Sequence, residues 1–210
     1  MGATAQLASS LGRSDEQPNI ALAEAIVSTK DMNNVRELVD LLNAKDKALK
    51  GDAVKTLYEV GARDPQLIAP FLAQFKNLLT STDNRLVWGA MCAIDAITLA
   101  KPEAVFMIIP QIMAAVERGS VITRDHAVKA LAKLSTDDRF SRTTMPLLLE
   151  QLRTCPVNQF PMYAEEVEAA TKPGAAKQVV SALETRMAEM PTEAKRKRVE
   201  KVLRKLAKKG

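Results

Sequence analysis

The sequence predicts an all-α solenoid, a stack of antiparallel helix pairs in which each pair packs on the next. The main observation is an internal period, because apolar residues return every 37 positions, as in Ala53, Ala90 and Ala127. A period of about 20–50 residues is typical of stacked repeat architectures. The composition agrees, since 47% of the residues are hydrophobic but only 4% are aromatic. Small and aliphatic side chains must therefore fill the core between closely packed helices.

Each 37-residue repeat predicts two helices, because its apolar residues are spaced by four and three positions and so share one helix face. Pro65 and Pro102 stand at equivalent positions, where proline suits the first turn of a new helix. The first helices carry the apolar residues Phe71, Phe75, Leu78, Ile108, Ile112, Ala115, Met145, Leu149 and Leu152. The second helices carry Ala53, Leu57, Val60, Ala90, Ile94, Ile97, Ala127, Leu131 and Leu134.

The N-terminal end departs from the regular repeat. Residues 1–14 are rich in Ala, Ser and Gly and predict a flexible segment. Residues 15–29 predict a single helix that caps the array, with Ile20, Ala23 and Val27 on its apolar face.

The C-terminal end departs from it as well. The fourth repeat is degenerate, with a second helix expected at 161–171 and with Glu168 in the column that Leu57 occupies in the first repeat. Terminal repeats are expected to be atypical, since one of their faces meets water. We predict a repeat domain over 15–190 and a basic amphipathic helix over 191–210 that closes the array. Within these regions, helices are expected at about 175–190 and 192–208.

The paired-helix unit resembles the HEAT-repeat family, with armadillo-type repeats as the related alternative. The resemblance covers residues 30–171. It implies a right-handed α-solenoid whose second helices line a concave face, and a role as a scaffold, adaptor or transport factor. It rests on the stretches Lys50-Gly-Asp-Ala-Val-Lys-Thr-Leu57, Leu86-Val-Trp-Gly-Ala-Met-Cys-Ala-Ile94 and Thr123-Arg-Asp-His-Ala-Val-Lys-Ala-Leu131.

No residue pattern predicts catalysis, a cofactor or a metal. The lone histidine, His126, lies one repeat and about one helical turn from Cys92, and neighbouring helix axes are about 8–10 Å apart. A thiol–imidazole pair is therefore not expected, and His126 is interpreted as a solvated or edge histidine. One histidine with two distant cysteines supplies no zinc-ligand spacing, and the eight glycines form no phosphate-binding fingerprint.

The second helices predict a mildly positive face for a protein or peptide partner. If these helices line the concave side, as the resemblance implies, their polar columns bring several cations and one tryptophan together. The alternative interpretations are a mixed solvated face and, for the tryptophan, packing on a neighbouring helix. The predicted partner contacts are Lys55, Arg85, Trp88, Arg124, Lys129 and Lys133.

The C-terminal helix concentrates the positive charge. The whole chain has a net charge of +5, but residues 191–210 alone carry +7, which leaves −2 for the rest. Val199, Val202, Leu203 and Leu206 recur at helical spacing and predict one apolar stripe. The helix either simply closes the solenoid, or binds nucleic acid, or lies on a membrane surface, the last being disfavoured because no Trp or Phe is present. The candidate nucleic-acid contacts are Lys195, Arg196, Lys197, Arg198, Lys201, Arg204 and Lys205.

The predicted function is a non-enzymatic protein-interaction scaffold or adaptor. The alternative is a nucleic-acid-binding helical repeat protein that uses the C-terminal helix. A remote alternative is an alkylated-base DNA glycosylase-like HEAT enzyme, for which the chain offers few aromatic stacking platforms. The sequence predicts no membrane span, since it lacks an apolar run of about 18 residues. It also lacks a signal peptide and a disulfide framework, so a cytoplasmic location is expected.

Overall fold

The computed structural model describes residues 2–209, which form thirteen α-helices, three short 3₁₀ turns and no β-strand. The helices are α1 (Gln17–Thr29), α2 (Met32–Leu41), α3 (Lys47–Arg63), α4 (Pro65–Ile68), α5 (Leu72–Leu78), α6 (Asn84–Ile97), α7 (Pro102–Met107), α8 (Ile109–Arg118), α9 (Val121–Ser135), α10 (Asp138–Thr154), α11 (Phe160–Ala170), α12 (Ala176–Arg186) and α13 (Glu193–Ala207). Two compact units divide the chain, Met1–Ala127 (unit 1) and Val128–Gly210 (unit 2). The division falls within α9, so the predicted 15–190 domain contributes residues to both units.

The second helices of the repeats bury the predicted apolar face. In unit 1, α3 packs against α1, α2 and α6, and α6 also packs against α4 and α5. All of the predicted face residues on these second helices are buried in the structure. The 37-residue period therefore predicted the buried face of the second helices correctly, whereas four of the nine predicted apolar residues of the first helices, Phe71, Leu78, Ile108 and Met145, are only half-buried.

The first helices are interrupted where the sequence predicts single helices. Pro65 and Pro102 begin α4 and α7 as expected. A short 3₁₀ turn that contains Pro70 then separates α4 from α5, and Pro110 stands in the first turn of α8. A proline inside a helix removes a backbone hydrogen bond and crowds the preceding turn. These prolines explain why two of the first helices are broken.

The N-terminal segment, which was expected to be flexible, is packed against unit 1. Ala3, Leu7 and Ala8 are buried. The backbone N–H of Ala8 donates to Asn19 Oδ1 at 3.0 Å, and the N–H groups of residues 3 and 4 donate to the Glu37 carboxylate at 2.9 Å. These acceptors lie between 11 and 34 residues further along the chain, so local composition did not reveal them. Met1 lies outside the described residues.

The face that α1 buries differs from the prediction by one position. Asn19, Leu22, Ala23 and Ile26 are buried, whereas Ile20 and Val27, two of the three predicted residues, are only half-buried. The buried face is shifted because it includes a polar side chain. Asn19 accepts a hydrogen bond from the Ala8 N–H and donates one to Asp52 Oδ1 at 2.9 Å.

Unit 2 contains the degenerate repeat and the C-terminal helices. Helix α11 packs against α10 and α13, and α12 packs against α10 and α13. Arg186, near the end of α12, donates from Nη1 to the carbonyl oxygens of Leu152, Arg153 and Cys155 at 3.0, 3.1 and 3.0 Å. These carbonyls belong to the end of α10, where backbone acceptors lack helical partners. Arg186 therefore fastens α12 to the C-terminus of α10.

Candidate interaction surfaces

Lys55, the first cation of the predicted face, is an internal ion-pair partner. Its side chain is only 8% exposed, and its Nζ lies 2.9 Å from Glu16 Oε2 and 2.8 Å from Glu59 Oε1. Burial disfavours the charged ammonium, but hydrogen bonds to the two carboxylates and to Tyr58 outweigh it and raise the pKa of Lys55. Since its charge is neutralised within unit 1, Lys55 does not present a cation to a partner, which corrects the prediction.

Arg85 lies at the start of α6 and reaches back over α3. Its side chain is 43% exposed, and its Nη2 lies 3.6 Å from Asp52 Oδ1. The guanidinium rests above Gly51, where an added Cβ would lie 3.0 Å from Arg85 Cζ. A glycine at this position therefore lets the arginine lie against the helix. An arginine carries five N–H donors, so a contact at this distance leaves donors that can bind a carboxylate.

Trp88 packs on its neighbour and remains half-exposed. Its ring centroid lies 5.7 Å from that of Tyr58 on α3, with the ring planes at 53°, a favourable geometry for an aromatic pair. Tyr58 is also half-buried. Arg85 precedes Trp88 by three positions, the spacing of neighbours on one helix face. We call Tyr58, Arg85 and Trp88 the aromatic surface of unit 1.

Tyr58 was not selected from the sequence, because it and Trp88 belong to different columns of the repeat. Each column contains residues 37 positions apart, whereas Tyr58 and Trp88 are 30 positions apart, so a comparison by column does not bring them together. The sequence does hold one clue to this pair, which is that such aromatic residues are rare in it: the chain contains one tryptophan and two tyrosines.

The remaining predicted face residues lie on α9. Arg124 belongs to unit 1, whereas Lys129 and Lys133 belong to unit 2, and all three are half-buried. They stay predicted contacts.

His126 is paired rather than simply solvated. Its Nδ1 donates to Asp95 Oδ2 at 2.7 Å, and the side chains of His126 and Asp95 are 25% and 9% exposed. Asp95 belongs to the preceding second helix, at a position that the sequence did not single out. Within residues 2–209, no cluster of three or more His, Cys, Asp or Glu side chains is arranged to hold a metal ion.

Helix α13 uses part of its positive charge to pack on α11. Its apolar stripe is buried at Val199, Val202 and Leu206. Arg198 forms a bidentate pair with Glu165, with N–O distances of 2.9 and 2.7 Å. The Lys195 ammonium donates to the side-chain oxygen of a residue just before α11 (Asn158).

Glu168 is the central partner of this packing. Its side chain is 9% exposed and lies 2.9 Å from Lys205 Nζ and 2.8 Å from Lys209 Nζ. Burial raises the pKa of a carboxyl, but hydrogen bonds from Lys209 and Lys205 outweigh it and lower the pKa of Glu168. Three of the seven candidate nucleic-acid residues, Lys195, Arg198 and Lys205, are thus engaged within unit 2. The other four, Arg196, Lys197, Lys201 and Arg204, are exposed.

Comparison with solved structures identifies the fold. An engineered protein solved by the Northeast Structural Genomics Consortium shares 17% identity and a TM-score of 0.65, over 100% of this chain and 98% of that one. A designed armadillo repeat protein shares 15% identity and a TM-score of 0.63, over 97% and 98%. An archaeal HEAT-like repeats protein from Thermococcus onnurineus NA1 shares 14% identity and a TM-score of 0.50, over 93% and 98%. The chain therefore has a HEAT/armadillo-type helical-repeat fold of the α-solenoid class, as predicted.

Sequence comparison adds nothing to this assignment. No protein-family model matches the chain, and no curated protein matches it. None of the helices in residues 2–209 is both long enough and apolar enough to cross a membrane.

Proposed function

We propose that this protein is a non-enzymatic interaction scaffold that binds a peptide segment of a partner protein at the aromatic surface of unit 1. Helical-repeat folds of this type commonly form extended binding surfaces from stacked helices. The observation that supports the proposal is the pairing of Tyr58 with Trp88, together with an exposed arginine, Arg85, one helical turn before Trp88 on α6. Tyrosine, tryptophan and arginine are the residues most enriched at binding hot spots.

The chemistry of the surface defines the partner segment. The two rings offer a partly exposed aromatic face, and Arg85, one helical turn before Trp88, offers N–H donors. A segment that places a carboxylate beside an aliphatic or aromatic side chain complements both features. Lys55 contributes indirectly, because its Nζ lies over the Tyr58 ring, 4.8 Å from the ring centroid.

The test uses the single tryptophan as its own reporter. A displayed peptide library is panned on the full chain, and enriched peptides are synthesised and titrated while Trp88 emission is recorded. We expect the enriched peptides to combine acidic and apolar residues and to shift the Trp88 emission. We also expect them to bind about 10-fold more weakly to the Tyr58→Ala or Arg85→Gln variant, a loss of roughly 1.4 kcal/mol of binding free energy.

Arg142→Gln is the matched control. Arg142 is exposed in unit 2, and its replacement removes the same charge as Arg85→Gln. Unchanged affinity in that variant supports a local effect. Peptides that bind without moving Trp88 emission, or that bind Arg85→Gln as tightly as the wild type, would contradict the proposal.

A further inference from the structure

The exposed side of α13, with the residue that follows it, carries a row of four cations. At 3.6 residues per turn, positions 197, 201, 204 and 208 fall within a sector of about 60° around the helix axis. Lys201, Arg204 and Lys208 are exposed and form no ion pair among residues 2–209. Lys197 is 70% exposed, and its Nζ lies 3.8 Å from Glu193 Oε1 at the start of the helix. We call these four residues the basic stripe.

Three other cations at this end of the chain hold the row in place. Arg198, Lys205 and Lys209 occupy the neighbouring sector and bind Glu165 and Glu168 of α11. The apolar stripe lies on the far side and is buried against unit 2. The ion pairs and the apolar packing together fix the rotation of α13, so the basic stripe points to solvent with none of its four cations used for packing.

The geometry points to an extended polyanion as the ligand. The stripe covers eleven residue steps, or about 16 Å at 1.5 Å per residue. Three of its cations, Lys201, Arg204 and Lys208, border a hollow that is open to solvent, so the stripe lacks the enclosed donors that would select one small anion. We propose that the basic stripe binds the phosphate backbone of a nucleic-acid duplex, independently of base sequence. A duplex presents about one charge per 1.7 Å of its axis, so a straight row of four cations lies opposite several phosphates at once.

A membrane surface fits the same charges less well. An interfacial helix inserts its apolar face among the lipids, but Val199, Val202 and Leu206 are already buried in the protein. Residues 191–210 also contain no aromatic residue that could anchor at the interface. Anionic vesicles therefore belong in the experiment as a competing ligand.

The test measures the affinity of the full chain for fluorescent 20-base-pair DNA and RNA duplexes of random sequence, between 50 and 200 mM salt. With four phosphate contacts, the slope of log K against log salt is expected near −3.6, a loss of roughly 100-fold across that range for DNA. The DNA and RNA arms show which backbone geometry is preferred. The variant Lys197→Gln/Lys201→Gln/Arg204→Gln/Lys208→Gln is expected to bind about 30-fold more weakly at 50 mM and to show a nearly flat slope.

A charge-matched control separates the stripe from net charge. The variant Lys45→Gln/Lys47→Gln/Lys101→Gln/Lys177→Gln removes four exposed lysines elsewhere on the chain, and its affinity should stay within about 3-fold of the wild type. Glutamine preserves helix propensity, and unchanged circular dichroism confirms that both variants fold. An equal loss in the two variants would overturn the proposal. So would tighter binding to single strands, or to vesicles of 30% phosphatidylserine in phosphatidylcholine. Because the aromatic surface lies in unit 1 and the stripe in unit 2, failure of either proposal leaves the other intact.

Discussion

Replacing Glu168 with glutamine should detach the C-terminal helix more than any comparable change on α11. The substitution keeps the shape of the side chain but removes the charge that binds Lys205 and Lys209. Glu168 is 9% exposed, so water replaces the lost interactions poorly. Hydrogen bonds to a charged group contribute about 1.5–3 kcal/mol each when buried, and much less when one partner is exposed. We expect Glu168→Gln to lower the free energy of unfolding by about 1–2 kcal/mol at pH 7.

Glu165→Gln is the control, because it removes the same charge from the same helix. Its partner is Arg198 on α13, but both side chains are nearly half-exposed, at 46% and 47%. An exposed pair of this kind contributes about 0.5 kcal/mol or less. Urea unfolding, monitored by circular dichroism, measures the free energy of unfolding of both variants.

The pH dependence gives a second check on Glu168. Its pKa is lowered in the folded protein, so its contribution is complete above the ordinary glutamate pKa and is lost as the pH falls through the folded value. The difference between the wild type and Glu168→Gln should therefore be largest at neutral pH and shrink in acid below about pH 4.5. Equal costs for Glu168→Gln and Glu165→Gln, or a cost that does not change with pH, would refute the assignment of Glu168 as the main anchor.

Two further substitutions test the packing of each unit. Arg186→Lys replaces a planar guanidinium, which donates to three carbonyl oxygens at the end of α10, by a single ammonium group. The variant should lose about 1–2 kcal/mol of the free energy of unfolding measured in urea. Wild-type stability would show that the planar guanidinium is not needed. Gly89→Ala places a Cβ 2.9 Å from Val54 Cγ2 where α3 and α6 approach, and should cost about 1–3 kcal/mol despite the better helix propensity of alanine. A more stable Gly89→Ala protein would contradict the close approach, and Gly89→Ala should cost less in a Val54→Ala background than in the wild type.

The periodic part of the fold could be predicted because burial in stacked repeats depends on spacing rather than on particular neighbours. Ala53, Ala90 and Ala127 each open the apolar face of a second helix, and all three are fully buried. A shift of one position would turn such a face toward water, so the period itself specifies the register. Where the period is absent, as over residues 1–14, local composition predicted flexibility although distant side chains bind the backbone.

The candidate surfaces could be predicted only in part, because a charge is defined by its partners. Lys55 and Arg85 looked alike in the sequence as cations of one face. In the structure Glu16, from the segment before α1, neutralises Lys55, while Arg85 keeps only a contact of 3.6 Å with Asp52. Glu16 and Asp52 lie 39 and 33 residues before their cations, and no motif connects them. Only Glu59, four residues after Lys55, stands at a spacing that the sequence shows.

Glu168 was visible in the sequence as a violation of the repeat, and its structural role explains the violation. In the earlier repeats, this column is filled by a buried aliphatic residue, namely Leu57, Ile94 or Leu131. After the last repeat, α11 packs on α13, which brings lysines instead of another aliphatic face. A buried carboxylate is stable there only because those lysines neutralise it. Because Glu168 pairs with Lys205 and Lys209, it also fixes the rotation of α13 about its own axis. That rotation determines which cations face solvent. The break in the period therefore marks the position where the repeat ends and where the charged surface of unit 2 is oriented.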